Sequence, residues 1–273
     1  PERSDTVNPL EEFGKEVADH IAQLGRDKHI KDLSNRWLFD TAPFKYTYNF
    51  RWMGRPIIQF PQDIVAMQEL IWKIRPDLII ETGIAHGGSL VFSASMLALL
   101  DLCDAIAEGK TMDPAASRRK VLGVDIDIRA HNREAIEAHP MFSRIQMIQG
   151  ASVDPGVVEQ VRAVAADYKR ILVCLDSMHT HAHVLAELEA YAPLVSPGSY
   201  CVVFDTVIED MPPGSFPDRP WDKGNNPKTA VWEYLKTHPE FEIDQSIPDK
   251  LLITVAPDGY LKKFNKSEFK YND

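Results

Sequence analysis

Five short apolar runs separated by helix-forming stretches constrain this chain more than any other feature: residues 78–81, 121–124, 145–148, 171–175 and 200–204. Predominantly apolar runs of this length read as strands. Between them lie helical patterns. Ile64, Met67, Leu70, Ile71 and Ile74 recur at helical spacing and stop at Pro76, and a long apolar helix is expected from Leu90 to about Ile106. Further helices are expected near 130–138, at Val157–Val164, at Val184–Leu188 and at about 228–236. Strands alternating with helices imply a doubly wound, mostly parallel α/β sheet with right-handed crossovers. A late hairpin, 241–243 with 251–255, would add an antiparallel edge and bring the sheet to seven strands.

The expected organisation is an N-terminal extension or substrate cap over 1–54, a catalytic domain over 55–260 and a C-terminal tail over 261–273. Hydrophobic content of 44% is enough for a sizeable core. A formal net charge of −10 without a basic stripe argues against nucleic acid as a partner. No run of about 18 apolar residues is present, so no membrane span is expected. The N-terminal region lacks a basic segment followed by an apolar one, and a cytoplasmic location is expected. Cys103, Cys174 and Cys201 lie in or beside apolar runs and read as buried thiols rather than a disulfide or metal cluster.

Ligands of such sheets bind beyond the carboxyl ends of the strands. Four of the five strand ends carry a carboxylate there: Glu81, Asp125, Asp176 and Asp205. After the first strand the glycines stand at Gly83, Gly87 and Gly88, which breaks the G-x-G-x-x-G spacing of a dinucleotide turn. Glu81, two residues before the first glycine, would repel a pyrophosphate and attract an ammonium group. NAD therefore fits poorly, and S-adenosylmethionine is the common cofactor that fits. Asp125 is placed to accept the hydroxyls of a ribose, although NAD enzymes use the same device. Gly150-Ala151-Ser152 leaves room for an adenine ring, a pattern that a plain turn explains equally well.

Asp176 and Asp205 end consecutive strands and present two hard oxygen donors, which suits Mg²⁺. A metal there would lower the pKa of an acceptor hydroxyl. His179, in Leu-Asp-Ser-Met-His-Thr-His, is a candidate general base, with metal ligand or substrate contact as rival roles. His179, His181 and His183 together also fit a His-rich helix start or a zinc site, but hard carboxylates without a nearby cysteine disfavour zinc. Residues 46–63 interleave Tyr46, Tyr48, Phe50, Trp52, Arg55, Gln59 and Gln62, a composition suited to a carbohydrate or other polar ring, and equally to packing. Residues 212–227, with Trp221 and Asn225-Asn226, have the composition of a loop, which suits a lid and equally suits packing against the domain or an oligomer partner.

These residues resemble the class I S-adenosylmethionine-dependent O-methyltransferases. Glu81-x-Gly83-x-x-x-Gly87-x-Ser89 is similar to the cofactor motif of the metal-dependent catechol-type branch. That resemblance implies Glu81 near the methionine moiety, room for the cofactor at Gly83, His86 and Gly87, and a bond from Ser89 to the cofactor's carboxylate. Ser152 and Asp125 complete the expected cofactor contacts. Asp176 falls on the branch's first metal Asp and Asp205-Thr206 on its Asp-Asn metal pair. The chain departs from the pattern at Thr206, in place of Asn, and at His179, in place of the catalytic Lys.

A closer resemblance is to the cephalosporin hydroxylase family, which includes rhamnosyl O-methyltransferases. It is carried by Trp52-x-Gly54, Pro61-x-Asp63, the glycine motif, Gly123-Val124-Asp125-Ile126-Asp127 and Asp176-x-x-His179, over roughly residues 45–260. The resemblance implies a Mg²⁺- and S-adenosylmethionine-dependent O-methyltransferase acting on a sugar or glycoside hydroxyl, in a homo-oligomer. It leaves as alternatives a component of a cephalosporin-type hydroxylation or methoxylation system and a non-catalytic scaffold subunit.

Overall fold

A computed structural model, which describes residues 8–264, places the apolar runs in one sheet. Helices α1 (Pro9–Arg26) and α2 (Lys28–Thr41) lead into a hairpin of β1 (Phe50–Trp52) and β2 (Arg55–Ile57). There follow α3 (Pro61–Ile74), β3 (Leu78–Thr82), α4 (Gly88–Glu108), β4 (Lys120–Asp125), α5 (Ala130–Glu137) and β5 (Ile145–Gln149). The chain continues through α6 (Pro155–Ala165), β6 (Ile171–Leu175), α7 (His181–Tyr191), β7 (Tyr200–Val203) and α8 (Pro227–Tyr234). It closes with β8 (Phe241–Ile243), α9 (Ser246–Leu251) and β9 (Tyr260–Lys263).

The sheet order is β5-β4-β3-β6-β7-β9-β8, with the first five strands parallel and β9 antiparallel to both neighbours. Every residue of β3, β6 and β7 is buried, as their apolar composition demands. Helix starts follow local chemistry. Asp154 accepts the amides of Gly156 and Val157 ahead of α6, with Pro155 at the first helical position. Asn226 and Thr229 form a capping box at α8. Helix α4 is long and apolar enough to cross a membrane by length and composition. It is instead a core helix: Leu90, Val91, Ala94 and Leu97 are buried among sheet residues.

Three expectations need correction. The hairpin partner of β8 is β9, not 251–255. Leu251 ends α9, Leu252 adopts a positive φ, and the backbone of Val255 bonds to the Asp63 side chain and to Val207. The domain boundaries also cut through paired strands. Residue 54 lies in the turn of the β1–β2 hairpin, and 261 lies inside β9; of the proposed tail, 265–273 fall outside the described residues. Finally, Cys174 and Cys201 are buried, whereas Cys103 is exposed on α4.

Asp63, in the first turn of α3, is fully enclosed and accepts hydrogen bonds from the Thr254 hydroxyl, the Val255 amide (3.0 Å) and the Tyr260 hydroxyl (2.9 Å). Burial pushes its carboxyl up to about 6, against those three hydrogen bonds. The 254–257 segment that it grips in turn accepts the Val207 amide, just past Asp205. Replacing Asp63 with Ala strands three donors in the core. An unfolding free energy lower by about 3 kcal/mol is expected, measured by urea titration.

Candidate active site

Strand β3 pairs with β4 on one side and β6 on the other, so the chain reverses its winding direction between β3 and β6. A crevice opens at the carboxyl ends of such a pair. Here it becomes a cleft of about 1350 Å³. Gly83, just past β3, has φ +90°, and a Cβ there would strike the carbonyl of Asp176. Only glycine lets the two strand ends approach this closely. Gly88 plays a similar part at the head of α4, where a side chain would strike the Pro56 carbonyl. The β1–β2 hairpin therefore lies directly on α4 and carries Ile58, Gln59 and Phe60 into the cleft wall.

On the cofactor side, four amides of the glycine turn are bonded within the protein. Gly83 N–H bonds the Val124 carbonyl at 2.8 Å and Gly87 N–H the Ile84 carbonyl at 2.8 Å. Ile84 and Ala85 donate to Asp125 Oδ2 at 2.8 and 3.3 Å. A phosphate-binding turn needs such amides free; these four are already bonded. Asp125 is thus the staple of the turn as well as a cleft residue. Its Oδ1 also accepts the Asp127 amide at 3.0 Å, so most of its lone pairs face backbone. Asp127 lines the cleft beside it. His86 lines the cleft too, and its carbonyl is clamped by Arg55 at 2.9 and 2.6 Å. Arg55 therefore holds the turn and does not itself line the cleft.

Glu81 is buried in β3, and Ser89 Oγ donates to its Oε1. Burial, partly offset by that hydrogen bond, pushes its carboxyl up to about 7. Among the described residues no cation pairs with it. Gly87 is closed off by Ile136, which leaves no room for a side chain. Ser152 is buried at the far end and bonds His183 Nε2 at 3.1 Å. His183 also meets Ser177 at 3.1 Å, and Ser177 donates to the enclosed Glu187 at 2.7 Å.

At the other end, ligand atoms of Asp176, His179 and Asp205 all lie within 4.8 Å of one another. Asp205 has φ +56°, a left-handed turn after β7 that swings its carboxylate into the cleft. Its Oδ2 meets His179 Nε2 at 3.0 Å. Burial works against a charged His179, but the Asp205 charge and hydrogen bond outweigh it and hold the imidazole above its ordinary value. Burial and repulsion from Asp205 and Glu81 push the Asp176 carboxyl well up. Thr206, expected as a metal ligand, is turned away. The same turn buries it completely, and its hydroxyl donates to the Pro257 carbonyl.

Of the aromatic and amide segment, Tyr46, Tyr48 and Gln59 reach the cleft, whereas Trp52 bonds Ser95 at 3.0 Å inside the fold. The 212–227 loop does cover the site: Trp221 packs edge-on against His179, centroids 4.8 Å apart. Its far end is pinned by Glu209, which accepts the Gly224 amide and the Asn226 side chain at 2.7 and 2.5 Å. Asp63 and Asn132 have roles that the sequence reading did not assign. Asp63 occurs where the apolar face of α3 begins, four residues before Met67, which is a legible sign of a buried carboxylate. Asn132, which links Arg55 to the Ala85 carbonyl, carries no comparable sign.

The family profile described as Rhamnosyl O-methyltransferase/CmcI matches residues 44–264. A rhamnosyl O-methyltransferase of Mycobacterium leprae is 30% identical over 234 residues, covering 85% of this chain and 90% of the relative. One from Mycobacterium tuberculosis is 29% identical over 267 residues, covering 95% and 96%. In fold, the chain is similar to a CmcI structure described with Mg and S-adenosylmethionine. The TM-score is 0.53 at 18% identity, over 80% of this chain and 78% of the other.

Proposed function

We propose that this chain, which belongs to the rhamnosyl O-methyltransferase/CmcI family, transfers a methyl group from S-adenosylmethionine to a hydroxyl of a rhamnose-like sugar, with Mg²⁺ as the metal. The observation that carries the reading is the Asp176–His179–Asp205 cluster, set in one cleft with a turn that lacks the dinucleotide glycine spacing and has four of its amides bonded within the protein.

Both groups fit the residues present. Glu81 does not itself line the cleft but lies behind Ser89, which does; as an enclosed carboxylate without a cationic partner among the described residues, it suits the ammonium of an amino acid. Asp127 and the remaining lone pairs of Asp125 suit ribose hydroxyls, and the space beside Ala151 and Ser152 suits adenine. Asp176 and Asp205 are hard donors with no lysine or arginine paired to either among the described residues, so together they suit a small divalent cation. When bound, S-adenosylmethionine supplies a methyl group on a sulfonium, which leaves as a neutral thioether, and Mg²⁺ supplies charge that lowers the pKa of a nearby hydroxyl.

The protein's own part is positioning and proton transfer. Nε2–H of His179 donates to Asp205 Oδ2, which leaves the lone pair of the neutral ring on Nδ1; that nitrogen takes the acceptor's hydroxyl proton as the oxygen bonds the methyl carbon and the carbon–sulfur bond breaks. Asp205 Oδ2 orients the ring and stabilises the imidazolium. Trp221 fixes the ring's other flank and keeps water from it. Tyr46 and Tyr48 offer apolar faces with polar tips at the acceptor's end of the cleft.

Calorimetry should show S-adenosylmethionine binding and no comparable binding of NAD. The free carboxyl of Glu81 stays protonated up to about 7, whereas the ammonium of the ligand selects the carboxylate. Binding should therefore release a proton below pH 7 and weaken as pH falls from about 7 toward the ordinary carboxylate range, by at most about tenfold per unit. Glu81→Gln should bind more weakly and lose this dependence. Tight NAD binding would overturn the cofactor assignment, and failure to methylate any rhamnoside would overturn the acceptor assignment.

A further inference from the structure

Gln59 follows β2 and lines the cleft across from the strand-end aspartates, held there by the close contact of the hairpin with Gly88. Only 8% of its surface is exposed. Its Nε2 donates toward Asp176 Oδ2 at 3.4 Å. With Asp176 ionised around the proposed cation, the flipped amide would turn its oxygen toward a carboxylate oxygen, acceptor against acceptor, so Nε2 faces Asp176. Gln59 Oε1 is consequently buried with no hydrogen-bond partner among the described residues. Gln62 Oε1 is unpartnered as well, but Gln62 does not line the cleft.

A buried carbonyl oxygen needs a donor, and the described residues supply none. The donor must come from what occupies the cleft. In the proposed reaction the methylated hydroxyl gives its proton to His179 and has none left to share. The donor to Gln59 is therefore a different hydroxyl of the same acceptor. Oε1 and Nε2 belong to one carboxamide, so Oε1 lies one amide's width from the atom that touches Asp176. A hydroxyl meeting Oε1 is thus displaced by a similar short step from the hydroxyl at the Asp176–His179–Asp205 cluster. Neighbouring hydroxyls on a sugar ring have that relation.

We infer that Gln59 is a specificity-determining residue that accepts a hydrogen bond from the ring hydroxyl adjacent to the one methylated. The acceptor is then a vicinal diol. A sugar whose neighbouring hydroxyl is absent or already methylated is refused, so this methylation precedes any modification of that neighbour. The inference rests on the sugar O-methyltransferase reading.

The test compares methyl α-rhamnopyranoside with its monodeoxy analogues as acceptors, using the wild-type chain and Gln59→Leu with S-adenosylmethionine and Mg²⁺. One analogue that keeps the reacting hydroxyl should be slower with wild type by about 10- to 100-fold in kcat/KM. Gln59→Leu should narrow the gap between diol and analogue to near nothing, because both changes remove the same bond, while loss of the Nε2 contact to Asp176 falls on both acceptors alike. Unchanged S-adenosylmethionine binding by calorimetry shows that the variant is folded, and Gln59→Met provides the same comparison if Gln59→Leu is not. Equal losses on diol and analogue, or a wild type indifferent to the missing hydroxyl, would overturn the inference while leaving methyl transfer intact. No transfer by wild type to any rhamnoside would instead overturn the sugar reading, and this inference with it.

Discussion

Replacing His179 with alanine is expected to lower kcat by about 10²–10⁴-fold. S-adenosylmethionine affinity and Mg²⁺ affinity should change far less. The residue lies between Asp205, at 3.0 Å, and the edge contact of Trp221, and is 16% exposed, so its ring has one orientation and little water around it. A base held in this way acts on the step in which the acceptor loses its proton, and its loss should appear in kcat rather than in KM. Stopped turnover with intact ligand binding identifies the base. A variant with near-wild-type kcat would reduce His179 to packing beneath the loop. A variant that instead loses Mg²⁺ affinity by a comparable factor would make it a ligand. The three rival roles are thus separated by two measurements.

Asp205→Asn is expected to be at least as damaging, because one carboxylate serves two functions. It is a member of the metal-binding cluster and the partner of the imidazole. Turnover should fall by about 10³-fold or more, since several kcal/mol of charge stabilisation are removed. Mg²⁺ affinity, measured by calorimetry on the free protein, should fall by at least about tenfold. Asp176→Asn should lose Mg²⁺ affinity similarly while keeping the His179–Asp205 pair. Wild-type turnover should vanish in EDTA and return with Mg²⁺. Turnover indifferent to chelator would remove the metal from the reaction and leave His179 and Asp205 as a simple dyad.

How much of this could be read before the fold was known differs from residue to residue. Glu81, Asp125, Asp176 and Asp205 were legible because a polar residue ending a long apolar run marks the carboxyl edge of a buried strand, and ligands bind there. Strands 78–82, 120–125 and 171–175 follow from the same local pattern. The 251–255 stretch was misread because its backbone partners are a side chain on α3 and a loop after β7, which no periodicity encodes. Thr206 shares its neighbour's motif but not its direction, since a left-handed residue at Asp205 sends the two side chains opposite ways.

The sequence by itself determined the order of the chemistry along the chain: a carboxylate within β3, at the end of β4 and just past β6 and β7, a glycine turn with the wrong spacing for pyrophosphate, and a histidine three residues after Asp176. These are local facts, set within a few residues by hydrophobic period and turn chemistry. Only the tertiary structure decided which of the polar residues serve the site and which serve the scaffold. Arg55 and Asp125 hold the turn, Thr206 faces the core, Trp221 closes on His179, and Gln59 is left with an oxygen that the described residues do not satisfy. The reason is distance along the chain. Gln59 and Asp176 are 117 residues apart, and Asp63 and Val255 are 192 apart. Contacts of that span are settled by how the sheet winds and how closely Gly83 and Gly88 let neighbouring segments approach.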